Sequence, residues 1–375
     1  MKKSLLALAL MGAVSAQAAD VVGYGIIDMG PLYQKYDYSH KASQDTIMLK
    51  STLDAGSRVG LKGQEDLGNG TKLSFILENG FYADSGKITN DNRLFGREMS
   101  MTLSGPAGQL TMGRVGNFTS ATGSYNYFFK NAESFNGGTA FTKGPRLDNS
   151  ITYQTPSFAG TQFALQYSFE TGAELVNGEI PTENAEENTN NRYFGLGMRH
   201  TSGNFTFVST IDQYLWAKEK DTDGLVFSFG GNYDLGYVQP YVALQFSRDV
   251  KDIAGAKSYL GAFKSTTDTA FNEKYKDFNG VTFYDGYAMH VGTKSPLGNG
   301  LLMTGLYHAG AESDQARGGD LKIKYYGGMV RYLYFIGKRS NLIIGASYAK
   351  NTLKQGAFDE DMKYMEFYFG ANTSF

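Results

Sequence analysis

Alternation of apolar and polar residues runs through most of this chain and restricts its fold more than any other feature. In "TQFALQYSFE", Phe163, Leu165, Tyr167 and Phe169 oppose Gln162, Gln166, Ser168 and Glu170. In "TKLSFILE", Leu73, Phe75 and Leu77 share one face, with Lys72, Ser74 and Glu78 on the other. "FGLGMRH" and "LVFSFGGNYDL" repeat the pattern. "YMEFYFGANTSF" carries it to the last residue, with Met365, Phe367, Phe369, Ala371, Thr373 and Phe375 on one parity. A period of two marks β-strands, because successive side chains leave opposite faces of a pleated backbone.

The connections between these stretches alternate in size. Short ones such as "GNG" (68–70), "GPAG" (105–108), "SGN" (202–204) and "PLGNG" (296–300) are rich in Gly and Asn, the residues of tight turns. Long ones cover 30–57, 117–147, 171–190 and 250–284, with shorter ones near 84–92, 215–222, 312–318 and 353–361. Seven turns and eight loops imply sixteen strands. Long loops on one rim and short turns on the other describe a barrel that crosses a membrane. Inside lipid every backbone N–H and C=O needs an internal partner, and only a helix or a closed sheet supplies one. The expectation is an all-β protein: a transmembrane antiparallel β-barrel of 16 strands with long extracellular loops.

Composition agrees with this reading. Charged residues make up 19% and mean hydropathy is −0.33, which excludes a bundle of membrane helices. Gly numbers 47, and Tyr and Phe 26 each, a combination of tight turns and aromatic strands. The chain has no Cys, so disulfides, thiolate metal sites and cysteine nucleophiles are excluded, and no cofactor is expected. Residues 1–18 read as a cleaved signal peptide: "MKK" is a basic start, "SLLALALMGAV" a short apolar core, and Ala16 and Ala18 form an A-x-A site. Residues 19–375 then form the barrel. Without Lys2 and Lys3, 33 basic residues face 37 acidic ones, a net charge of −4, which leaves no basic surface for nucleic acid.

Sixteen strands enclose a lumen wide enough for water. The polar parity places Arg58, Lys62, Lys72, Glu78, Glu98, Glu170, Arg199, Asp212, His290, Lys294 and Glu366 on the inner face. The segment Asn117–Arg146 is long, aromatic and Gly-rich, and is poorly suited to solvent. Folded into the lumen as the third loop, it narrows the pore. It carries Lys130, Lys143 and Arg146 against the single acid Glu133. With Arg58, Lys62 and Lys72 on early strands, a mild preference for anions follows. The 171–191 segment holds Glu174, Glu179, Glu183, Glu186 and Glu187, but no fixed ligand spacing, so it reads as a solvated acidic loop rather than a metal site.

Several stretches resemble the Gram-negative general porins of the betaproteobacterial branch. "VVGYGIIDMG" resembles that family's first strand, a "LYGxID" pattern in which Gly23 here replaces Leu. "SRVGLKGQEDLGNGTKLSFILENGF" and "LFGREMSMTLSGPAGQLTMGR" resemble its best-marked segments. The terminal Phe375 resembles the signature read by the outer-membrane assembly machinery. The resemblance implies a homotrimer in contact with outer-membrane lipid and lipopolysaccharide, exported through the periplasm, that passes small hydrophilic solutes and ions. By position Arg58, Arg97 and Arg114 match family arginines. Arg97 and Arg114, however, share parity with the lipid-side Met99 and Met112, which places them at the rim, beyond a bulge or against a neighbouring subunit. A substrate-specific channel differs only in its constriction residues. A barrel hydrolase needs a His with a nucleophile, and none of His40, His200, His290 and His308 lies in a recognisable motif such as G-x-S-x-G.

Overall fold

The computed structural model describes residues 20–39, 42–135, 140–171, 191–216, 223–256, 281–316 and 319–375. The expected signal peptide, His40 and the Glu174–Glu187 acids lie outside the described residues. Seventeen strands form one sheet: β1 Val22–Tyr38, β2 Gln44–Ser51, β3 Arg58–Gly68, β4 Thr71–Gly80, β5 Glu98–Gly105, β6 Gly108–Gly116, β7 Arg146–Gln154, β8 Thr161–Ser168, β9 Arg192–Ser202, β10 Phe205–Leu215, β11 Asp223–Tyr233, β12 Gln239–Val250, β13 Tyr284–Pro296, β14 Gly300–Ser313, β15 Leu321–Phe335, β16 Ser340–Gln355 and β17 Phe358–Ser374. Among the described residues there is one helix, α1, at Phe128–Ala132.

Every pairing is antiparallel, and the sheet closes where β17 meets β1, from Ile26↔Ser374 to Tyr38↔Met362. β2 pairs with β1 at Met29–Tyr36, and β3 pairs with it at Val22–Ile26. These two strands lie end to end beside β1, so the seventeen segments fill sixteen positions in the ring. At the seam the Phe375 and Gly25 backbones exchange two hydrogen bonds of 3.1 Å. The phenyl ring covers the spot where a side chain on Gly25 would stand, so Gly25 makes room for the last residue.

The wall is inverted relative to a water-soluble barrel. On β5, Met99, Met101 and Leu103 are exposed while Glu98 and Ser100 are buried. On β17, Phe367 and Phe369 point out and Tyr368 points in. Only a hydrocarbon surround makes an outer face of that kind favourable.

Two expected loops are largely strand. The 30–57 stretch completes β1, which runs to Tyr38, and supplies β2 from Gln44, with a break at 52–57. The 353–361 stretch is a two-residue turn at Gly356–Ala357, with Gly356 in the left-handed region (φ +57°). In both places the strands carry charged residues on their outer face, Lys35 and Asp37 or Lys354 and Asp359, so the lipid-type alternation stops before the hydrogen-bonded ladder does.

The protein's core lies inside the barrel. The 117–145 connection enters it and buries Phe118, Phe128, Phe129 and Phe141 against inward residues such as Tyr193, Val208, Val226 and Tyr307. Four rings meet edge-on there: Phe128 with Phe129 and Phe141, and Phe141 with Tyr307. Polar bonds fix the loop's path. Asn117 donates to Asp212 (3.2 Å) and Tyr214 (2.9 Å). The Thr142 amide donates to Gln245 (2.7 Å), and Asn232 donates to the Asn131 carbonyl (2.7 Å). The loop therefore leans mainly on β9–β14, and single contacts reach the other side: Tyr125 donates to Thr111 on β6 (2.7 Å), the Ser124 amide donates to Glu98 on β5 (3.1 Å), and Phe135 lies beside Arg331 on β15.

Candidate functional site

Arginines held by carboxylates line the inner face from β3 to the start of β5. Glu78, inward on β4, accepts from Arg97 Nε (2.6 Å) and from the Tyr24 hydroxyl (2.9 Å), and lies 3.5 Å from Arg58 Nε. One carboxylate thus serves two guanidinium groups and leaves excess positive charge. Arg58 also donates to the Gly56 carbonyl (3.1 Å). Arg97 packs on Gly56 so closely that a Cβ there would fall 2.7 Å from its Nη1. Glu98 is buried and turned toward the inner loop, where its carboxylate accepts the Ser124 amide (3.1 Å) and hydroxyl.

Arg97 is therefore inside, against its outward parity. It precedes the first ladder residue of β5, so the backbone is still turning out of the 81–97 connection when this side chain leaves it. Arg114 keeps the outward parity. It sits across from Met99 in the register, at an irregularity between Gly113 and Val115, and Gly113 is left-handed (φ +127°). Its charge is met by Asp148, which Arg93 also binds at 2.6 Å, and its Nε donates to the Gly96 carbonyl (2.9 Å). Arg114 thus ties the 81–97 connection to the wall.

The remaining expected residues divide by exposure. Lys62, Lys130 and Lys143 are exposed, and Lys62 stands over the Tyr24 ring at 5.4 Å. Lys72 is half-buried on the same inner face as Ser104, its partner in register. Arg199 donates to Gln162 (2.9 Å) and lies 5.9 Å from the Tyr127 ring. Burial pushes the Tyr127 phenol up to about 12, so that ring stays neutral beneath the guanidinium. Arg146, the first residue of β7, donates to Asn90 (3.0 Å) and Thr122 (2.7 Å), joining the base of the inner loop to the 81–97 connection. Glu133 is fully buried and accepts from the Tyr307 hydroxyl. Asp212 and His290 face inward as expected, yet the loop covers them: Asp212 accepts from Tyr193 (2.5 Å) and Thr210 (3.0 Å), and His290 Nε2 accepts the Ser134 amide (3.2 Å).

Three residues that shape this site carry no local signal of it. Asp28 accepts the amides of Leu53 (2.6 Å), Asp54 (3.0 Å) and Ala55 (2.9 Å). Arg331 on β15 binds Asp54 (2.7 Å). Asp148 is the counter-ion described above. Their partners lie 25 or more residues away, so no spacing rule finds them. Only the match of "GYGIID" to a first-strand pattern points to Asp28.

Comparison with known proteins agrees with this architecture. A family profile described as Gram-negative porin matches residues 4–354. An outer membrane porin protein of Bordetella pertussis is 33% identical, over 97% of this chain and 97% of its own length. Outer membrane porin protein 32 of Delftia acidovorans is 30% identical over 68% of this chain and 72% of its own. Among solved structures, an anion-selective porin from Comamonas acidovorans superposes with a TM-score of 0.61 at 21% identity, covering 95% of this chain and all of that one. A profile that spans most of the sequence, a relative that matches it end to end, and a closed sixteen-position barrel place this chain in the Gram-negative porin family.

Proposed function

We propose that the chain forms a water-filled channel in the outer membrane for passive diffusion of small hydrophilic solutes and ions, with a mild preference for anions, and that it works as a homotrimer. One observation carries the preference. Three lysines of the interior stand in water, while the acids near them are buried or shared. Lys62, Lys130 and Lys143 are exposed; Glu98 and Glu133 are buried; Glu78 is divided between Arg58 and Arg97. Anions entering such a lumen meet uncompensated positive charge. In this reading Arg58, Arg97, Lys62, Lys72 and Arg199 line the path, Glu78 and Glu98 hold its wall, and the 117–145 loop narrows it. The outer belt meets lipid and lipopolysaccharide, and Phe375 is what the assembly machinery recognises.

An enzymatic reading finds little support. Ser134 Oγ lies 3.0 Å from His290 Nε2, the contact a nucleophile and base would make. The hydroxyl also donates to the Thr304 carbonyl (2.8 Å), and the imidazole is 1% exposed, so no substrate reaches the pair.

The test is the reversal potential across a salt gradient in a planar bilayer. Wild-type protein should give a modest anion-selective potential, and Arg58→Glu should move it toward cations. A cation-selective wild type would reject the preference, and no movement in the variant would remove Arg58 from the ion path.

A further inference from the structure

The strand break at Thr52–Ser57 has no counterpart elsewhere in the described wall. Thr52 is left-handed (φ +71°), and the chain leaves the ladder for six residues. It turns inward. Leu53 is buried over Gly30 and Gly370, whose missing side chains leave the space it fills. Asp28 caps the turn from below with three amide bonds.

Arg331 reaches this segment across the inner surface of β16, β17 and β1. Its Nη1 binds Asp54 (2.7 Å), its Nη2 donates to the Leu53 carbonyl (3.0 Å), and its Nε donates to the Tyr368 hydroxyl (3.1 Å). Asn372 donates to the other Asp54 oxygen (3.2 Å). The guanidinium also lies 5.3 Å from the ring of Phe135, at the tip of the inner loop. Phe135 packs on the small apolar cluster that includes Leu53, Leu32 and Tyr368. Arg331 therefore stands between two internal projections, the loop tip and the strand break, and touches both.

These contacts complete a ring. From Ser124 in the inner loop the rim runs to Glu98, across the ladder to its register partner Glu78, through Arg97 and Arg58 to Gly56, along the chain to Asp54, and through Arg331 to Phe135, and the loop itself closes the circuit. We infer that Arg331 and Asp54 are the latch of this ring: they hold the inner loop at Phe135 against the 52–57 segment and so set the aperture and the charge of the pore beside the strand break. This rests on the channel reading above, and it adds positioning residues that no arginine of the early strands supplies.

The latch has an electrical and a mechanical signature, and they separate. Arg331→Ala and Asp54→Ala both release the loop tip, so each should raise single-channel conductance by about 1.3-fold or more and add open-channel noise. Their selectivity shifts should oppose each other. Arg331→Ala leaves Asp54 bare and moves the reversal potential toward cations, whereas Asp54→Ala leaves Arg331 bare and moves it toward anions. Phe135→Ala removes the apolar contact and keeps the ion pair, so it should raise noise without shifting selectivity. The measurement is single-channel recording of full-length protein in planar bilayers, with heat-dependent migration on gels to confirm folding. If Arg331→Ala fails to fold, Phe135→Ala and Arg331→Lys carry the test, and Lys should retain selectivity while losing quiet conduction. Wild-type conductance and noise in the folded variants would overturn the latch. Wild-type protein that forms no channel would overturn the channel reading instead.

Discussion

Asp28 illustrates how a single residue can organise a wall. Its carboxylate is fully buried and takes three amide bonds from a turn that begins 24 positions later, and its own backbone amide donates to the Ser57 hydroxyl at 3.0 Å. Amides that leave a strand ladder need another acceptor, and a buried donor left without one costs about 1–3 kcal/mol. Asp28→Ala strands three of them at once and also frees the segment that Arg331 grips. The expected loss is about 3 kcal/mol or more, read as a lower urea midpoint for protein refolded in lipid vesicles. An unchanged midpoint would mean that the 52–57 turn holds itself. The sequence shows an Asp in a first-strand pattern; what it cannot show is a ring of strands bringing residue 54 back beside residue 28. Arg97 and Arg114 make the same point from the other side. Strict alternation puts both on the lipid side; Arg97 turns inward from the residue before β5, and Arg114, at the irregularity between Gly113 and Val115, is covered and paired with the buried Asp148.

At the scale of elements, the inner loop is held by a different physics from the wall that surrounds it. The strands are fixed by their ladders, whereas the 117–145 connection has only scattered backbone bonds, such as Phe128 N–H to the Phe118 carbonyl (3.0 Å) and Ala254 N–H to the Ala140 carbonyl (2.9 Å), and depends on its side chains: α1 is five residues long and its start has no side-chain cap. Phe128 and Phe129 anchor it, each fully buried and in edge contact with Phe141. Phe129→Ala removes about 3–5 kcal/mol of packing from an element with few backbone bonds. The barrel should survive, with its strand circular dichroism unchanged, while single-channel records switch among several conductance levels. Quiet, wild-type records would show that polar bonds such as Asn117–Asp212 suffice to seat the loop. The entry of this loop was legible from its aromatics, which solvent would not tolerate. The β1–β2 hairpin and the Gly356–Ala357 turn were not, because beyond the hydrocarbon layer a strand may carry any side chain outward while its backbone keeps pairing. Alternation reports the membrane, not the sheet, and it stops where the membrane does.

The whole molecule rests on two solvents that are not interchangeable. The outer face meets hydrocarbon and the inner face meets water, so the same substitution has opposite consequences on adjacent residues. Leu306, in the middle of β14, is the most exposed of its strand's apolar residues at 64%, and its register partners Val291 and Gly328 share that outer face. Leu306→Arg places a cation near the centre of the bilayer, at a cost of about 2–4 kcal/mol. Lys72→Gln, on the inner face, exchanges one hydrated group for another and should leave the urea midpoint in lipid vesicles nearly unchanged, while moving the reversal potential slightly toward cations. In a β-sandwich or a filled soluble barrel the ranking would differ: an arginine at an exposed position would be harmless. Equal midpoints for the two variants in vesicles would therefore contradict a hydrocarbon surround for β14. The predicted gap is also depth-dependent. Moving the arginine along β14 to Leu302, nearer the short-turn rim, should shrink the cost to about 0–1 kcal/mol. A barrel held only by its ladders would show no such gradient, because backbone bonding is as complete at the rim as in the middle.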